Sequence, residues 1–185
     1  MKSTGPDPAT SDISWISSSM PYLRPQEPGE PDAWTKETAG RGTQKLVEVG
    51  PVAPPVAIRQ ALDLGEDETV IVRRRVISLD GTPIELADSY YPTRVASGTA
   101  LAVKAKIPGG APTLLAKLGF IAARVTEDVE ARGASDDEAL ALRIEQGQPV
   151  FSLLRTSASG DGAPFEAATM VTRGPHRMRY EMRVD

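Results

Sequence analysis

Two stretches of this chain repeat one another, and the repeat restricts the fold more than any other feature. The first reads Arg75, four residues, then Asp80-Gly81-Thr82-Pro83-Ile84-Glu85-Leu86-Ala87. The second reads Arg155, five residues, then Asp161-Gly162-Ala163-Pro164-Phe165-Glu166-Ala167-Ala168. Asp-Gly between apolar runs is a hairpin signal, because the turn positions need left-handed backbone. Each stretch is therefore predicted as strand, tight turn, strand. Residues 69–79 return as 83–91, and residues 150–157 return as 164–172. Two copies are too few for a solenoid, so a pair of similar hairpins inside one domain is expected.

Side chains alternate between faces along a strand. Glu85 then points away from Ile84 and Leu86, and Glu166 away from Phe165 and Ala167. Each hairpin carries one acid on the face opposite its apolar neighbours. These acids are either two solvated glutamates or two acids facing a shared cleft. The same parity separates Arg73 and Arg75 from Arg74, Val72 and Val76. Two guanidiniums about 7 Å apart on one strand face suit a carboxylate or phosphate. Salt bridges to surface acids would use them equally well.

The rest of the chain divides by composition. Residues 1–43 are rich in Pro, Ser, Gly and Glu, and their isolated apolar residues follow no period. They are expected to form an extended arm, with Trp34 packed on the domain because exposing an indole is costly. Residues 44–185 form the domain. Within it a short strand is expected at 45–49, and a helix at 56–64 with Val56, Leu62 and Leu64 inward. Further helices are expected near 95–103 and 112–118, and a strand over 120–131. A capping-box helix starts at Ser135 and runs to about residue 142 or 144. A final strand is expected over 178–184.

Composition removes several function classes. The chain has no cysteine and one histidine, so disulfides, thiol nucleophiles and multi-His or Cys metal sites are not available. No metal or other cofactor is expected. His176, flanked by Gly174-Pro175, reads as a surface turn residue. The net charge of −4 is the wrong sign for a polyanion binder. No apolar run approaches the length needed to span a bilayer, and the N-terminus lacks a signal-peptide pattern. The expected setting is the cytoplasm.

Several pieces in a fixed order now resemble one family. They include Thr43-Gln44-Lys45-Leu46, Val72-Arg73-Arg74-Arg75-Val76, the first Asp-Gly hairpin through Glu85, and Ser89-Tyr90-Tyr91-Pro92. Gly109-Gly110, Leu114 through Gly119, Ala134 through Ala139 and Gly147 through Val150 follow. The last pieces are Arg155-Thr156, the second hairpin through Glu166, and Arg179-Tyr180. In this order they resemble the UTRA domain, the effector-binding domain of GntR-type transcription regulators of the HutC subfamily. The resemblance implies an α+β fold with a central antiparallel sheet and flanking helices, similar to chorismate lyase. It implies that Arg73, Arg75, Glu85 and Glu166 line an effector pocket, with Tyr180 nearby, and that the domain forms a homodimer.

Regulators of this family carry a winged helix-turn-helix before the UTRA domain. Residues 1–43 lack the periodicity and the basic recognition helix of such a unit, so direct DNA binding is not expected of them. The aromatic residues that often follow the second Glu are replaced by Ala167, Ala168, Met170 and Thr172. The expected ligand is therefore a small anionic or polar metabolite with an apolar part. Three functions fit: a stand-alone ligand-binding domain, a recruited lyase or cyclase using Glu85 and Glu166, and a modulator that pairs with a full-length regulator.

Overall fold

Asp80 (φ 49°) and Gly81 (φ 77°) both adopt left-handed backbone, as an Asp-Gly hairpin requires. In the computed structural model, which describes residues 15–17, 19–27 and 30–180, this turn joins two long antiparallel strands. In chain order the elements are β1 (Trp15–Ser17), α1 (Ala33–Glu37), β2 (Gly42–Val52), α2 (Val56–Ala61), β3 (Val70–Leu79) and β4 (Thr82–Pro92). They continue as α3 (Thr93–Ala96), α4 (Gly110–Lys117), β5 (Arg124–Gly133), α5 (Asp136–Leu142), β6 (Pro149–Ala158), β7 (Pro164–Arg173) and β8 (His176–Met178). Single 3-10 turns lie at Met20–Tyr22 and Ala100–Ala102.

The six long strands form one antiparallel sheet in the order β2-β3-β4-β7-β6-β5. The fold is α+β with a central antiparallel sheet. The two repeated hairpins meet at its middle, where β4 pairs with β7. The register there sets Ala87 opposite Met170, Asp88 opposite Thr169 and Ser89 opposite Ala168. A half-turn about the Asp88–Thr169 pair carries Glu85 onto Glu166, Ala87 onto Ala168, and Tyr91 onto Thr172. It also carries β2-α2-β3-β4 onto β5-α5-β6-β7. The sequence repeat is thus the visible part of a duplicated unit with approximate two-fold symmetry.

Both sheet faces are covered, which explains why β3 and β4 carry apolar residues on both faces. On one face Val70, Val72, Tyr90 and Ala167 pack against Ile58 and Leu62 around α2. Val150 and Val171 pack there against Ala139 and Leu142 of α5. On the opposite face Ile71, Tyr91 and Phe165 pack against Val95, Leu101 and Leu115. That second cluster fills only one end of its face and leaves the rest of the sheet surface for a site.

Several expected elements are corrected. The strand expected at 45–49 extends to Gly42–Val52, because β2 is an edge strand where Pro51 leaves no ladder bond unmade. The helix expected over 56–64 ends at Ala61, and Val56 is 72% exposed while Ile58 and Leu62 face inward. The helix expected near 95–103 is interrupted at Gly98 (φ 71°) and splits into α3 and a 3-10 turn. The strand expected from 120 starts at Arg124. The strand expected over 178–184 is instead the three-residue β8; residues 181–185 lie outside the described residues.

The arm expected over 1–43 is the larger correction. Its described part contains β1, a 3-10 turn and α1. Asp32 caps α1 by accepting a hydrogen bond from the Thr35 amide at 3.0 Å, and β1 pairs in parallel with β8. Trp34 is 2% exposed and packs with Ile77, Leu79, Ile84 and Ala87, as its cost of exposure predicts. Gly42 makes room for it: a Cβ there would lie 2.2 Å from the Trp34 indole nitrogen. Gly42→Ala should therefore displace Trp34 and cost roughly 1–3 kcal/mol, the usual range for overpacking. Urea titration monitored by tryptophan fluorescence would check this.

Candidate functional site

On the face opposite α2 and α5, strand alternation aligns the residues the repeat singled out. Arg73, Arg75 and Ile77 project from β3, and Glu85, Ala87, Ser89 and Tyr91 from β4. Glu166, Ala168, Met170 and Thr172 project from β7, and Phe151, Leu153 and Arg155 from β6. All of them line one cavity of about 540 Å³, well within the range of small-molecule sites. The cavity exists because the central positions are small. Ala87, Ser89 and Ala168 occupy the middle of the sheet, and longer side chains rise around them.

The polar groups follow the two-fold pattern. Arg75 lies on one flank of the alanine floor and Arg155 on the other. Glu85 and Glu166 lie at opposite ends. Thr172 donates to Glu85 at 3.0 Å, and Tyr91 donates to Glu166 at 2.8 Å. These two hydrogen bonds are counterparts under the half-turn.

Charge breaks this symmetry. Arg155 is neutralised by Glu127 at 2.7 Å. Burial pushes the Glu127 carboxyl up, but hydrogen bonds from Ser19 and Arg155 outweigh it and hold the group below the usual carboxylate range. Leu46 stands opposite Arg75, where Glu127 stands opposite Arg155. Among the described residues Arg75 has no ion-pair partner. It donates to Ser89 at 2.9 Å and to Gln44 at 3.4 Å, and its Nε is buried with no hydrogen-bond partner. Burial raises the pKa of both Glu85 and Glu166, against the lowering effect of their hydroxyl donors and the two arginines. Burial, then Glu166 itself, raises that of Tyr91.

Arg73 is placed differently from its expected partner in a clamp. It is 6% exposed. Its Nη1 donates to the carbonyls of Leu101 at 2.9 Å and Val103 at 2.8 Å, with Ala100 at 3.2 Å, and its Nη2 donates to Ala105 at 2.8 Å. Burial, and the like charge of Arg75, lower its pKa. Its charge holds segment 100–105 against β3 while the side chain lines the cavity beside Arg75.

Of the other expected residues, Arg75, Glu85 and Glu166 share the cavity, and Tyr180 does not line it. Tyr180 is 57% exposed, and its hydroxyl donates to Glu127 at 3.0 Å. His176, expected at a surface turn, sits in β8 and lines the cavity. Arg155 is a cavity residue the pattern announced, since it matches Arg75 in the repeat. Tyr91 and Thr172 could be reached only through the register. Among the described residues no group of three or more His, Asp or Glu side chains could hold a metal ion, and no helix is long and apolar enough to cross a membrane.

The fold is an α+β domain with a cavity on one face of its central antiparallel sheet. A model of the UTRA domain matches residues 39–176, and the chain belongs to that family. It is 33% identical over 134 residues to the HTH-type transcriptional regulator Rv0792c of Mycobacterium tuberculosis, covering 69% of this chain and 48% of that protein. It is 30% identical over 137 residues to the HTH-type regulator SCO4628 of Streptomyces coelicolor, covering 72% and 51%. The chain thus spans about half the length of the curated relatives it matches. Among solved structures, it resembles the ligand-binding domain assigned to a GntR-family transcriptional regulator from Bordetella bronchiseptica. That match has a TM-score of 0.64 and 27% identity over 87% of this chain and 94% of that one. The effector domain of PhnF from Mycobacterium smegmatis shares the fold, with a TM-score of 0.70 and 18% identity over 87% and 99%.

The two arginines should separate in a stability measurement. Arg73→Ala leaves several buried carbonyls without donors and should cost roughly 3 kcal/mol or more. Arg75→Ala should cost about 1 kcal/mol or less. Urea midpoints of the two variants would check the difference.

The carboxyls predict a pH dependence. A raised folded-state pKa means the folded chain holds its proton more tightly than the unfolded one. Stability is then greatest below the ordinary carboxylate range and declines as pH rises through the folded value. Glu166→Gln removes that decline. Its thermal midpoint should gain on the parent's as pH rises above the ordinary carboxylate range, as scanning fluorimetry across pH would record.

Proposed function

We propose that this UTRA domain binds a small metabolite in the cavity over Ala87, Ser89 and Ala168, and serves as the effector-sensing part of a HutC-type regulator. The observation that carries this reading is the ring of Arg75, Glu85, Arg155 and Glu166 around a small-residue floor, with apolar walls between them. An acceptor group of the ligand, a carboxylate or a single anionic oxygen, meets Arg75. Hydroxyl or amino groups donate to Glu85 and Glu166. The apolar part lies against Ile77, Leu153 and Met170. Arg73 shapes this site by holding its wall.

The bound molecule in this reading is anionic or polar at one end and carries a single strong anion contact. Arg155 is already neutralised by Glu127, so a dianionic phosphate would find one free guanidinium where two are needed. A homodimer and a cytoplasmic setting belong to the same reading, on the strength of the family resemblance. Transcriptional output would belong to the whole regulator.

The raised carboxyls favour one second reading, a lyase or cyclase-type enzyme in which Glu166 or Glu85 moves a proton. Binding and catalysis separate at Glu166→Gln, which keeps a hydrogen-bond acceptor and abolishes proton transfer.

Native mass spectrometry of the purified chain tests the binding reading. The expected result is an adduct of metabolite size that is released on denaturation and lost in Arg75→Ala. An adduct retained at full occupancy in Arg75→Ala, and also in the cavity-filling variant Ala87→Trp, would place the ligand elsewhere.

A further inference from the structure

The sheet supplies the floor and flanks of the cavity, and a different part of the chain supplies its roof. Ser19, Pro21, Tyr22, Arg24 and Gln26 line the cavity from the side facing the sheet. All of them precede the region matched by the family model, which begins at residue 39.

Its attachment is uneven. On one side it is anchored by Trp34, sunk among Ile77, Leu79, Ile84 and Ala87, and on the other by the pairing of β1 with β8. Between these anchors, residues 19–27 are held by side-chain bonds at the rim. The Tyr22 hydroxyl donates to Glu37. The Gln26 amide donates to Thr113 at 2.9 Å, and Lys36 donates to the Gln26 side chain at 2.9 Å. Ser19 hydrogen-bonds Glu127, the acid that neutralises Arg155. Few of these contacts are buried, which is the pattern of a segment that opens without unfolding its domain. Tyr22 also packs against the Trp34 cluster and lies close enough to Glu85 to feel its charge.

We infer that residues 19–27 are a hinged roof that completes the ligand site. It bows outward between the Trp34 anchor and the β1–β8 pairing, admits ligand when its rim contacts release, and places Tyr22 and Arg24 against the bound molecule when they re-form. This rests on the reading of the cavity as a ligand site. Ligand contacts made through the roof favour the closed state, and closure favours binding by the same factor, as linkage requires. The sensing consequence is direct: occupancy of the cavity is reported in the docking of the segment that leads into the domain.

The absence of native cysteine permits a test that needs no ligand. Ala168→Cys puts one thiol on the cavity floor, and its rate of modification by N-ethylmaleimide in the full chain reports access through the roof. Adding Tyr22→Phe and Thr113→Ala removes two rim hydrogen bonds while leaving the Tyr22 ring on the Trp34 cluster and the sheet in place. Labelling should then accelerate roughly tenfold, the scale expected when two hydrogen bonds no longer hold the closed state. A control thiol at Ala139→Cys, on the opposite sheet face, should label at an unchanged rate in the same background. Equal rates at Ala168→Cys with and without the rim substitutions would overturn the hinged roof. So would acceleration of both thiols alike, which would mark general loosening. Neither outcome depends on whether a metabolite binds, so failure of the binding reading remains a separate result.

Discussion

The pairing of β4 with β7 is the constraint on which the rest of this molecule depends. It joins the two repeated hairpins about the Asp88–Thr169 pair, and the register of every other strand follows from that junction. A slip of one residue would move each side chain to the opposite face. Arg75, Glu85, Glu166 and Arg155 would then meet the helices, and Tyr90, Val72 and Ala167 would meet the cavity. Apolar packing around α2 and α5 opposes such a slip, so the same burial that stabilises the domain also aims its polar groups.

A duplicated sheet would give a symmetric cavity, and this one departs from symmetry at positions with clear electrical consequences. Leu46 and Glu127 are counterparts on the edge strands: Glu127 neutralises Arg155, while among the described residues Arg75 has no ion-pair partner. Arg73 and Leu153 are counterparts as well, and only the arginine gathers the carbonyls of segment 100–105. The roof, made from one end of the chain, adds a further asymmetry. Together these give a floor of repeated shape an orientation, so that a ligand with one acceptor end has one preferred direction.

Much of this was legible in residues alone. The Asp80-Gly81 turn, the capping box at Ser135 and the burial of Trp34 follow from local chemistry, whereas strict alternation fails at Ile84 and Phe165, which join the cavity face beside Glu85 and Glu166 because the register shifts next to each hairpin turn. The family resemblance supplied the sheet's overall arrangement. Arg73 was legible only in part, because alternation places it beside Arg75 on one face but does not show that backbone carbonyls surround it. Those carbonyls come from a segment without periodicity. Tyr91 and Thr172 were hidden for a related reason: each meets a glutamate across a strand pairing that only the register defines. The arm was misread as extended because its short elements are each too brief for a period. Trp34, Gly42 and the rim contacts hold it through long-range packing instead.

A crystal structure of the full chain grown with whatever metabolite it retains on purification would test the central claim most directly. This account predicts ligand density over Ala87, Ser89 and Ala168. An acceptor atom should lie within hydrogen-bond distance of Arg75, with Tyr22 closed over it. Ligand density on another surface, with this cavity holding only solvent, would contradict it.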